Sequence, residues 1–231
     1  MGRNADSPVR AVRSFVLRQG RMTESQKRAF DAYWDRWGLN ESTPCFDLNS
    51  LFPEANQLVL EIGFGMGFSL VEMAVEQPDT GFIGVEVHRP GVGRVLGDLA
   101  EKQLRNVRLF CADAVEVLTH CLPADGIDKI MLLFPDPWPK KRHHKRRLLQ
   151  PQFVELVHSR LKPGGVFHMA TDWQNYAEHM LEVMEANPCF ENINGAGAFA
   201  RGPLQRPQTK FEQRGLRLGH QIYDLLYSRK S

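Results

Sequence analysis

From Gln57 onward, short apolar segments alternate with longer segments whose apolar residues recur at helical spacing. This pattern predicts strands over residues 58–62, 81–87, 106–111, 128–134 and 166–170, with a further strand over 222–227. Helices are predicted over residues 69–77, 91–103, 148–161 and 174–187. Because strands that alternate with helices form a parallel sheet covered on both faces, the sequence predicts an α/β fold with a doubly wound, mostly parallel sheet.

The first 45 residues differ from the rest of the chain. They are rich in arginine and then show a helical pattern from Thr23 to Trp37, for which Thr23 is a suitable N-cap and Gly38 a suitable end. We therefore expect a basic, partly helical and flexible N-terminal extension (residues 1–45), followed by the α/β domain (residues 46–231).

Composition excludes several classes of protein. Hydrophobic residues make up 42% of the chain, so a sizeable core can form and general disorder is excluded. None of the four cysteines stands in a CxxC pair, and no metal site is indicated. No apolar run reaches the roughly 18 residues of a membrane span, and the chain starts without an apolar secretion segment. We expect a cytoplasmic protein that uses neither a metal nor a membrane, and no protein partner is indicated.

A glycine-rich turn follows the first predicted strand. The sequence EIGFGMG occupies residues 61–67. Its glycines, Gly63, Gly65 and Gly67, stand at alternate positions, and Glu61 lies two residues before the first of them. Glycines between a strand and a helix allow a sharp turn and let a ligand lie against the backbone. A tight turn without a ligand is the alternative. A dinucleotide site fits poorly, because Phe68 stands where the GxGxxG pattern requires its third glycine.

Two acidic residues follow the next two predicted strands. Glu86 lies about 20 residues after the glycines, where a carboxylate can hold a ribose diol. Asp113 stands where a carboxylate can accept a bond from an adenine amino group, although it could equally cap a helix over residues 114–120. The chain has no phosphate-binding GxxxxGK[ST] motif. An adenosine ligand without phosphates indicates S-adenosylmethionine.

A proline-rich run ends the fourth predicted strand. In FPDPWP, at residues 134–139, Phe134, Asp136 and Trp138 each precede a proline. The α-helical backbone conformation is therefore disfavoured at these three residues. The prolines themselves have a fixed φ. This run predicts a carboxylate and an aromatic ring held stiffly at the carboxyl edge of the sheet, where open α/β folds bind ligands.

Every residue from 140 to 147 is Lys, Arg or His. Such a run is commonly a solvated face, but beside a candidate active site it concentrates positive potential where a polyanion can bind. Because the formal net charge of the whole chain is only +2, the surface must be polarised.

Two later segments also carry polar side chains. Asp172 follows the fifth predicted strand at the same edge of the sheet, where either a substrate role or a helix cap is possible. The sequence TKFEQRG at residues 209–215 lies in a segment rich in Pro and Arg, and we predict a base-reading loop or an ordinary surface loop.

These motifs, which span about residues 14 to 227, resemble those of the bacterial-type tRNA (guanine-N7-)-methyltransferase family. They are RMT at 21–23, LEIGFGMG at 60–67, GVEVH at 84–88, FPDPW at 134–138, the basic run at 140–147, HMATD at 168–172 and TKFEQRG at 209–215. The glycine motif is shared by many methyltransferases, whereas FPDPW followed by basic residues and TKFE is specific to this family.

The resemblance implies a Rossmann-like class I S-adenosylmethionine-dependent methyltransferase fold and a set of site residues. The methyl-donor pocket would comprise Glu61, Gly63, Gly65, Gly67, Glu86, Asp113 and Asp136, with Asp136 central to catalysis. The substrate contacts would be Lys140, Asp172, Thr209, Lys210, Phe211 and Glu212. The tRNA would be held by Arg142, His143, His144, Lys145, Arg146 and Arg147.

The implied reaction is methylation of a guanine at N7 in the tRNA variable loop, with S-adenosylmethionine as the donor. A methyltransferase that acts on another RNA or on a small molecule is the alternative enzyme. An RNA-binding scaffold with a vestigial pocket is disfavoured, because all four pocket acids are present.

Overall fold

The computed structural model describes residues 20–43, 45–202, 204 and 206–231. Within these ranges, one eight-stranded sheet has the order β1-β4-β3-β2-β5-β6-β8-β7. The strands are β1 (Gly38–Leu39), β2 (Gln57–Ile62), β3 (Thr80–Val85), β4 (Val107–Phe110), β5 (Ile127–Leu133), β6 (Leu161–Thr171), β7 (Phe190–Asn192) and β8 (Tyr223–Arg229). Strands β1 to β6 pair in parallel, and β8 runs antiparallel to both β6 and β7. The predicted doubly wound, mostly parallel sheet is confirmed.

The described helices cover both faces of this sheet. They are α1 (Glu24–Trp37), α2 (Leu48–Leu51), α3 (Phe68–Glu76), α4 (Arg89–Glu101), α5 (Ala114–Glu116), α6 (Pro151–Arg160), α7 (Gln174–Glu185) and α8 (Lys210–Arg217). A π-helical turn (Val117–Cys121) continues α5, and a 3-10 helix (Lys141–Arg146) precedes α6. One apolar cluster lies under α1, α3 and α4, and the other lies under α6 and α7. The central strands are buried on both faces, which is why they appear in the sequence as nearly continuous apolar runs.

The described part of the N-terminal segment packs against the sheet. Thr23 caps α1 in a capping box with Gln26, as the sequence predicts for the N-cap. The indole Nε1 of Trp37 donates to the Leu104 carbonyl at 2.9 Å, and β1 then pairs with β4 at the edge of the sheet. Helix α1 lies on α4. The expectations for residues 1–19 lie outside the described residues, and the domain boundary at residue 45 stays a prediction.

The prediction of a loop over residues 209–215 was wrong. This segment is the start of helix α8, with Thr209 as N-cap and Glu212 completing a capping box. The T-x-x-E spacing is itself a helix-start signal, and the surrounding prolines and arginines obscured it. Strands β1 and β7 were also missed, because two or three residues are too few to show a periodic pattern.

The chain order places a crevice at the carboxyl ends of the central strands. Successive strands run outward from β2 through β3 to β4, whereas β5 and β6 lie on the other side of β2. The loops that follow β2 and β5 therefore leave in opposite directions, and open α/β sheets bind ligands at this kind of switch point.

Candidate active site

A cavity of about 360 Å³ lies at the switch point. Its walls are Ile62, Gly63 and Gly65 at the end of β2, residues 85–88 at the end of β3, residues 112–114 after β4, residues 132–136 at the end of β5, and Leu148 and Phe211. The cavity therefore brings together most of the acids and glycines that were predicted separately along the chain. Glu61 and Gly67 are not among its lining residues.

The three glycines of the turn have different roles. Gly63 and Gly65 have φ values of +74° and +58°, in the left-handed region that favours glycine, and both line the cavity. Gly67 caps α3, and a Cβ placed there would lie 2.0 Å from Cγ2 of Val95. Gly67 is thus required for packing α3 on α4, and its expected role as a ligand contact stays a prediction.

Gly91, which was not among the predicted site residues, supports the same turn. A Cβ on this residue would lie 1.9 Å from the carbonyl oxygen of Gly65. Helix α4 can therefore approach the turn only with a glycine at this position. No sequence motif marks it, because the contact joins two elements that are distant along the chain.

Glu86 fixes the cavity wall through backbone amides. Its Oε2 accepts from the Gly65 N–H at 2.8 Å, and its Oε1 accepts from Val87 and His88 at 2.7 and 2.9 Å. Oε2 accepts only one hydrogen bond and keeps a second lone pair, so the side chain can still accept from a ligand hydroxyl. The glycine turn and the acid predicted to hold ribose are therefore one hydrogen-bonded unit.

Glu61 is a nearly buried acid directly before the cavity, with an exposed fraction of 3%. Its Oε2 has no hydrogen-bond partner among the described residues. Burial, together with the nearby carboxylate of Glu86, raises the pKa of Glu61 to about 8. A cationic ligand group is the kind of partner that such a carboxylate lacks.

Asp113 combines the two roles that the sequence left open. It is the N-cap of α5, where its Oδ1 accepts from the Val115 N–H at 2.8 Å, and it also lines the cavity. The cap fixes the direction of the carboxylate relative to the cavity wall.

The proline-rich run forms a turn with unusual backbone geometry. Phe134 and Trp138 have φ values of +52° and +45°, where a non-glycine residue costs roughly 1–2 kcal/mol. Asp136 lies between them, is exposed, and lines the cavity. Backbone strain of this kind persists only where surrounding contacts hold it, and it is concentrated at functional sites.

Arg147 supplies one such contact from a buried position. Its exposed fraction is 2%, its Nε donates to the Pro137 carbonyl at 3.0 Å, and its Nη2 donates to Oδ1 of Asn175 at 2.7 Å. The guanidinium also lies 4.7 Å from the ring centroid of Tyr176. Arg147 joins the proline-rich turn to α7, which corrects its expected place among the RNA contacts.

The other basic residues form a face beside the cavity. Lys140, Lys141, Arg142, Lys145 and Arg146 are exposed, whereas His143 and His144 are half-buried. The Trp138 ring contacts the His143 ring, with 5.8 Å between centroids, and the Arg146 guanidinium, 5.0 Å from the ring centroid. Local desolvation and the positive charges of Arg146 and Arg142 lower the pKa of His143. We call residues 140–146 the basic face.

Apart from Lys140, the predicted substrate residues lie at two places, one directly after β6 and the other at the start of α8. Asp172 pairs with His220, with 3.1 Å between Oδ2 and Nδ1, and it does not cap α7, whose N-cap is Trp173. In α8, Phe211 is 60% exposed and its ring is stacked at 6.5 Å from the ring of Phe134. Lys210 places its Nζ 3.6 Å from the ring centroid of Phe68. Thr209 and Glu212 are engaged in the cap of the helix.

No metal site is found in the described parts of the chain, where no group of three His, Cys, Asp or Glu side chains is arranged to hold an ion. Among the described helices, none has both the length and the apolar character required to cross a membrane.

Comparison with known proteins decides the family. A family model described as "Putative methyltransferase" matches residues 55–225. A tRNA (guanine-N(7)-)-methyltransferase of Pseudomonas aeruginosa (strain UCBPP-PA14) is 54% identical over 222 residues, which cover 96% of this chain and 91% of that protein. The chain belongs to the tRNA (guanine-N7-)-methyltransferase family.

A second member of the tRNA (guanine-N7-)-methyltransferase family, from Alcanivorax borkumensis, is 52% identical over 223 residues, covering 96% of this chain and 93% of that protein. Among solved structures, the 16S rRNA methyltransferase KamB superposes with a TM-score of 0.59 at 14% identity, covering 80% of this chain and 93% of that one. A 16S rRNA (adenine(1408)-N(1))-methyltransferase variant from Catenulisporales acidiphilia, solved with S-adenosylmethionine, gives a TM-score of 0.54 at 15% identity, covering 84% and 92%. At these identities the likeness shows a shared fold.

Proposed function

We propose that this chain transfers the methyl group of S-adenosylmethionine to N7 of a guanine in the variable loop of tRNA, giving 7-methylguanosine. The observation that carries the proposal is the identity of more than half of the residues, over nearly the whole chain, to relatives named for this reaction. The cavity at the switch point supplies a matching place for the donor.

The chemistry of the cavity suits S-adenosylmethionine. Glu86 and Asp113 offer carboxylate oxygens for ribose hydroxyls and an adenine amino group, and the backbone at Gly63 and Gly65 is open to close approach. The unpartnered Oε2 of Glu61 can receive a positively charged ligand group. When bound, S-adenosylmethionine supplies an electrophilic methyl group on a positively charged sulfur.

Asp136 is the residue that we assign to the acceptor guanine. Guanine N7 carries a lone pair and no proton, so the attack needs alignment rather than a strong base. Alignment can lower the barrier by several kcal/mol. The purine gains positive charge as it is methylated. A carboxylate at Asp136 can stabilise that charge and orient the guanine edge.

The basic face is our proposed surface for the tRNA backbone. Its exposed cations adjoin the turn that carries Asp136, and phosphate contacts of this kind position an RNA without reading its sequence. N7 lies in the deep and narrow major groove of A-form RNA, so the target guanine must be in a loop or turned out of the helix.

Incubation with labelled S-adenosylmethionine and bulk tRNA, followed by nucleoside analysis, tests the proposal. We expect the label in 7-methylguanosine. Label in another nucleoside, or label in ribosomal RNA but not in tRNA, would instead support the alternative of a methyltransferase that acts on a different target.

A further inference from the structure

A chain of four polar side chains lies beside the cavity mouth, and the proposed reaction gives no step to three of them, Arg206, Asp224 and His168. Arg206 donates from Nε and Nη2 to the two oxygens of Asp224, each at 2.8 Å, and from Nη1 to Oε2 of Glu212. His168 Nε2 donates to the same carboxylate at 2.8 Å. We call these four residues the buried network.

The network lies almost completely away from solvent. The exposed fraction of the side chain is 2% for Arg206 and 5% for Asp224. Although burial opposes it, hydrogen bonds from His168 and Arg206 keep the pKa of Asp224 below its usual value. Arg206 and Asp224 are therefore a buried, hydrogen-bonded ion pair that stays charged.

Such a pair is better suited to fixing geometry than to adding stability. The desolvation of two charges offsets most of their attraction, so apolar residues would stabilise the same place at least as well. The two parallel N–H···O bonds between a guanidinium and a carboxylate do fix the relative orientation of the groups that carry them. Asp224 belongs to β8, which pairs with β6, whereas Glu212 belongs to the first turn of α8. The network thus ties α8 to the sheet.

That first turn of α8 spans the mouth of the cavity. On one side, Lys210 lies over the ring of Phe68 at the start of α3. On the other side, Phe211 is stacked on Phe134, the residue from which the turn to Asp136 begins. The guanidinium of Arg206 lies 5.8 Å from the same Phe134 ring. A shift of α8 would consequently move Phe211 relative to Asp136.

We infer that Arg206 is a positioning residue. Through Asp224 and Glu212 it holds the first turn of α8 across the cavity mouth, and so fixes the position of Phe211 relative to Asp136. This inference rests on the proposed function for its kinetic consequence. The structural consequence, the placement of α8, can be measured without any substrate.

The test compares Arg206→Lys with Arg229→Lys. The first variant keeps the charge but loses the fork that bonds three carboxylate oxygens at once. The second makes the same change at an arginine that also pairs with an aspartate, Asp125, and with the Leu161 carbonyl, but at the other end of strand β8 from Asp224. Hydrogen exchange of the free protein should show faster exchange over residues 210–218 in Arg206→Lys alone, with the amides of β2 and β3 unchanged.

In the methylation assay, we expect Arg206→Lys to lose about 10- to 100-fold in kcat/KM for tRNA, mainly in kcat, as displaced catalytic groups do. The affinity for the donor should stay within about threefold of the wild-type value, and Arg229→Lys should match wild type. Equal exchange and equal kcat/KM in Arg206→Lys and wild type would overturn the inference. A wild-type protein that does not methylate tRNA would instead overturn the proposed function, and the hydrogen-exchange comparison would still decide the placement of α8.

Asp224→Asn provides a second test if Arg206→Lys folds poorly. It is nearly isosteric and weakens the ion pair from the strand side. If Arg206 acts through Asp224, the kcat/KM of the double variant should be no lower than that of the less active single variant, because the effects of coupled residues are not additive. Fully additive losses in kcat/KM would contradict this coupling.

Discussion

The proposed donor side of the site and its proposed acceptor side are held in place by different kinds of contact. On the donor side, Glu86 and Asp113 lie directly after strands, and each accepts hydrogen bonds from backbone amides of the turn that it stabilises. On the acceptor side, the proline-rich turn and α8 are held by the guanidinium groups of Arg147 and Arg206, which reach across the fold. The sheet therefore specifies the donor side almost alone, whereas the acceptor side depends on a few long side chains.

The largest expected effect comes from the residue at which the two sides meet. We expect Asp136→Ala to lower the turnover of tRNA methylation by about 100- to 1,000-fold, because a carboxylate aimed at developing charge is lost. Affinity for tRNA, measured by filter binding, should stay close to wild type. Turnover that is unaltered in this variant would refute the role of Asp136.

A change confined to the donor side should act on stability and donor binding. We expect Gly91→Ala to cost about 1–3 kcal/mol of unfolding free energy, since its Cβ would collide with the Gly65 carbonyl and a packed interior cannot simply absorb it. Urea unfolding measures the cost, and calorimetry should show weaker binding of S-adenosylmethionine.

The matched control for that change is Gly97→Ala in the same helix. The nearest atom to a Cβ at position 97 is the Cβ of Ala29 at 3.7 Å, an ordinary contact. This variant should be as stable as wild type or more stable by about 0.5–1 kcal/mol, as expected for alanine in a helix. Equal costs for the two variants would mean that the approach of α4 to the glycine turn is not what limits the donor side.

A change confined to the basic face should alter tRNA affinity alone. We expect reversal of charge at Arg142, Lys145 and Arg146 to weaken binding and to reduce the slope of log K against log salt by about 0.7–0.9 for each phosphate that the protein no longer neutralises. Binding titrations at several salt concentrations measure this slope. An unchanged slope would place the RNA surface elsewhere, for example on the basic residues before Gly20.

A separate prediction is a pH dependence of stability that originates at Glu61. Its pKa in the folded protein is raised to about 8 from an ordinary value of 4.5, so the folded state binds a proton that the unfolded state has released. The contribution of this group to stability must then fall as pH rises from about 4.5 to 8. Glu61→Gln should remove this fall from the curve of stability against pH, and identical curves for the variant and wild type would contradict the raised pKa.

The same carboxyl should link donor binding to pH. A cationic donor group near Glu61 favours the ionised form, so donor affinity should increase as pH rises toward 8, with release of a proton. Calorimetry in two buffers of different ionisation enthalpy would detect that proton. Donor binding without proton release would argue against a charge interaction at Glu61.

The residues that the sequence assigned to the donor lie largely around one cavity because their signals are local. Strand, glycine turn and terminal acid follow one another within a few residues, and each constrains its neighbours. The packing role of Gly67 against Val95 was not predicted, because motif spacing alone does not show which side chains pack against a glycine.

The acceptor side was predicted less completely because its contacts are long-range. Nothing within a run of eight basic residues indicates that the last, Arg147, points inward to Asn175. Arg206 stands among prolines, and its partner Asp224 lies on a strand that pairs antiparallel with β6. Pairs of this kind emerge only once the sheet order is known.

Mapping of the modified position in a single purified tRNA tests the central claim most directly. Reduction and aniline treatment cleave an RNA chain at 7-methylguanosine, so the modified guanine appears as one band. After incubation with S-adenosylmethionine, we predict a single new cleavage within the variable loop, which is absent with Asp136→Ala. Cleavage at another position, or an uncut tRNA after complete incubation with the wild-type protein, would contradict the account.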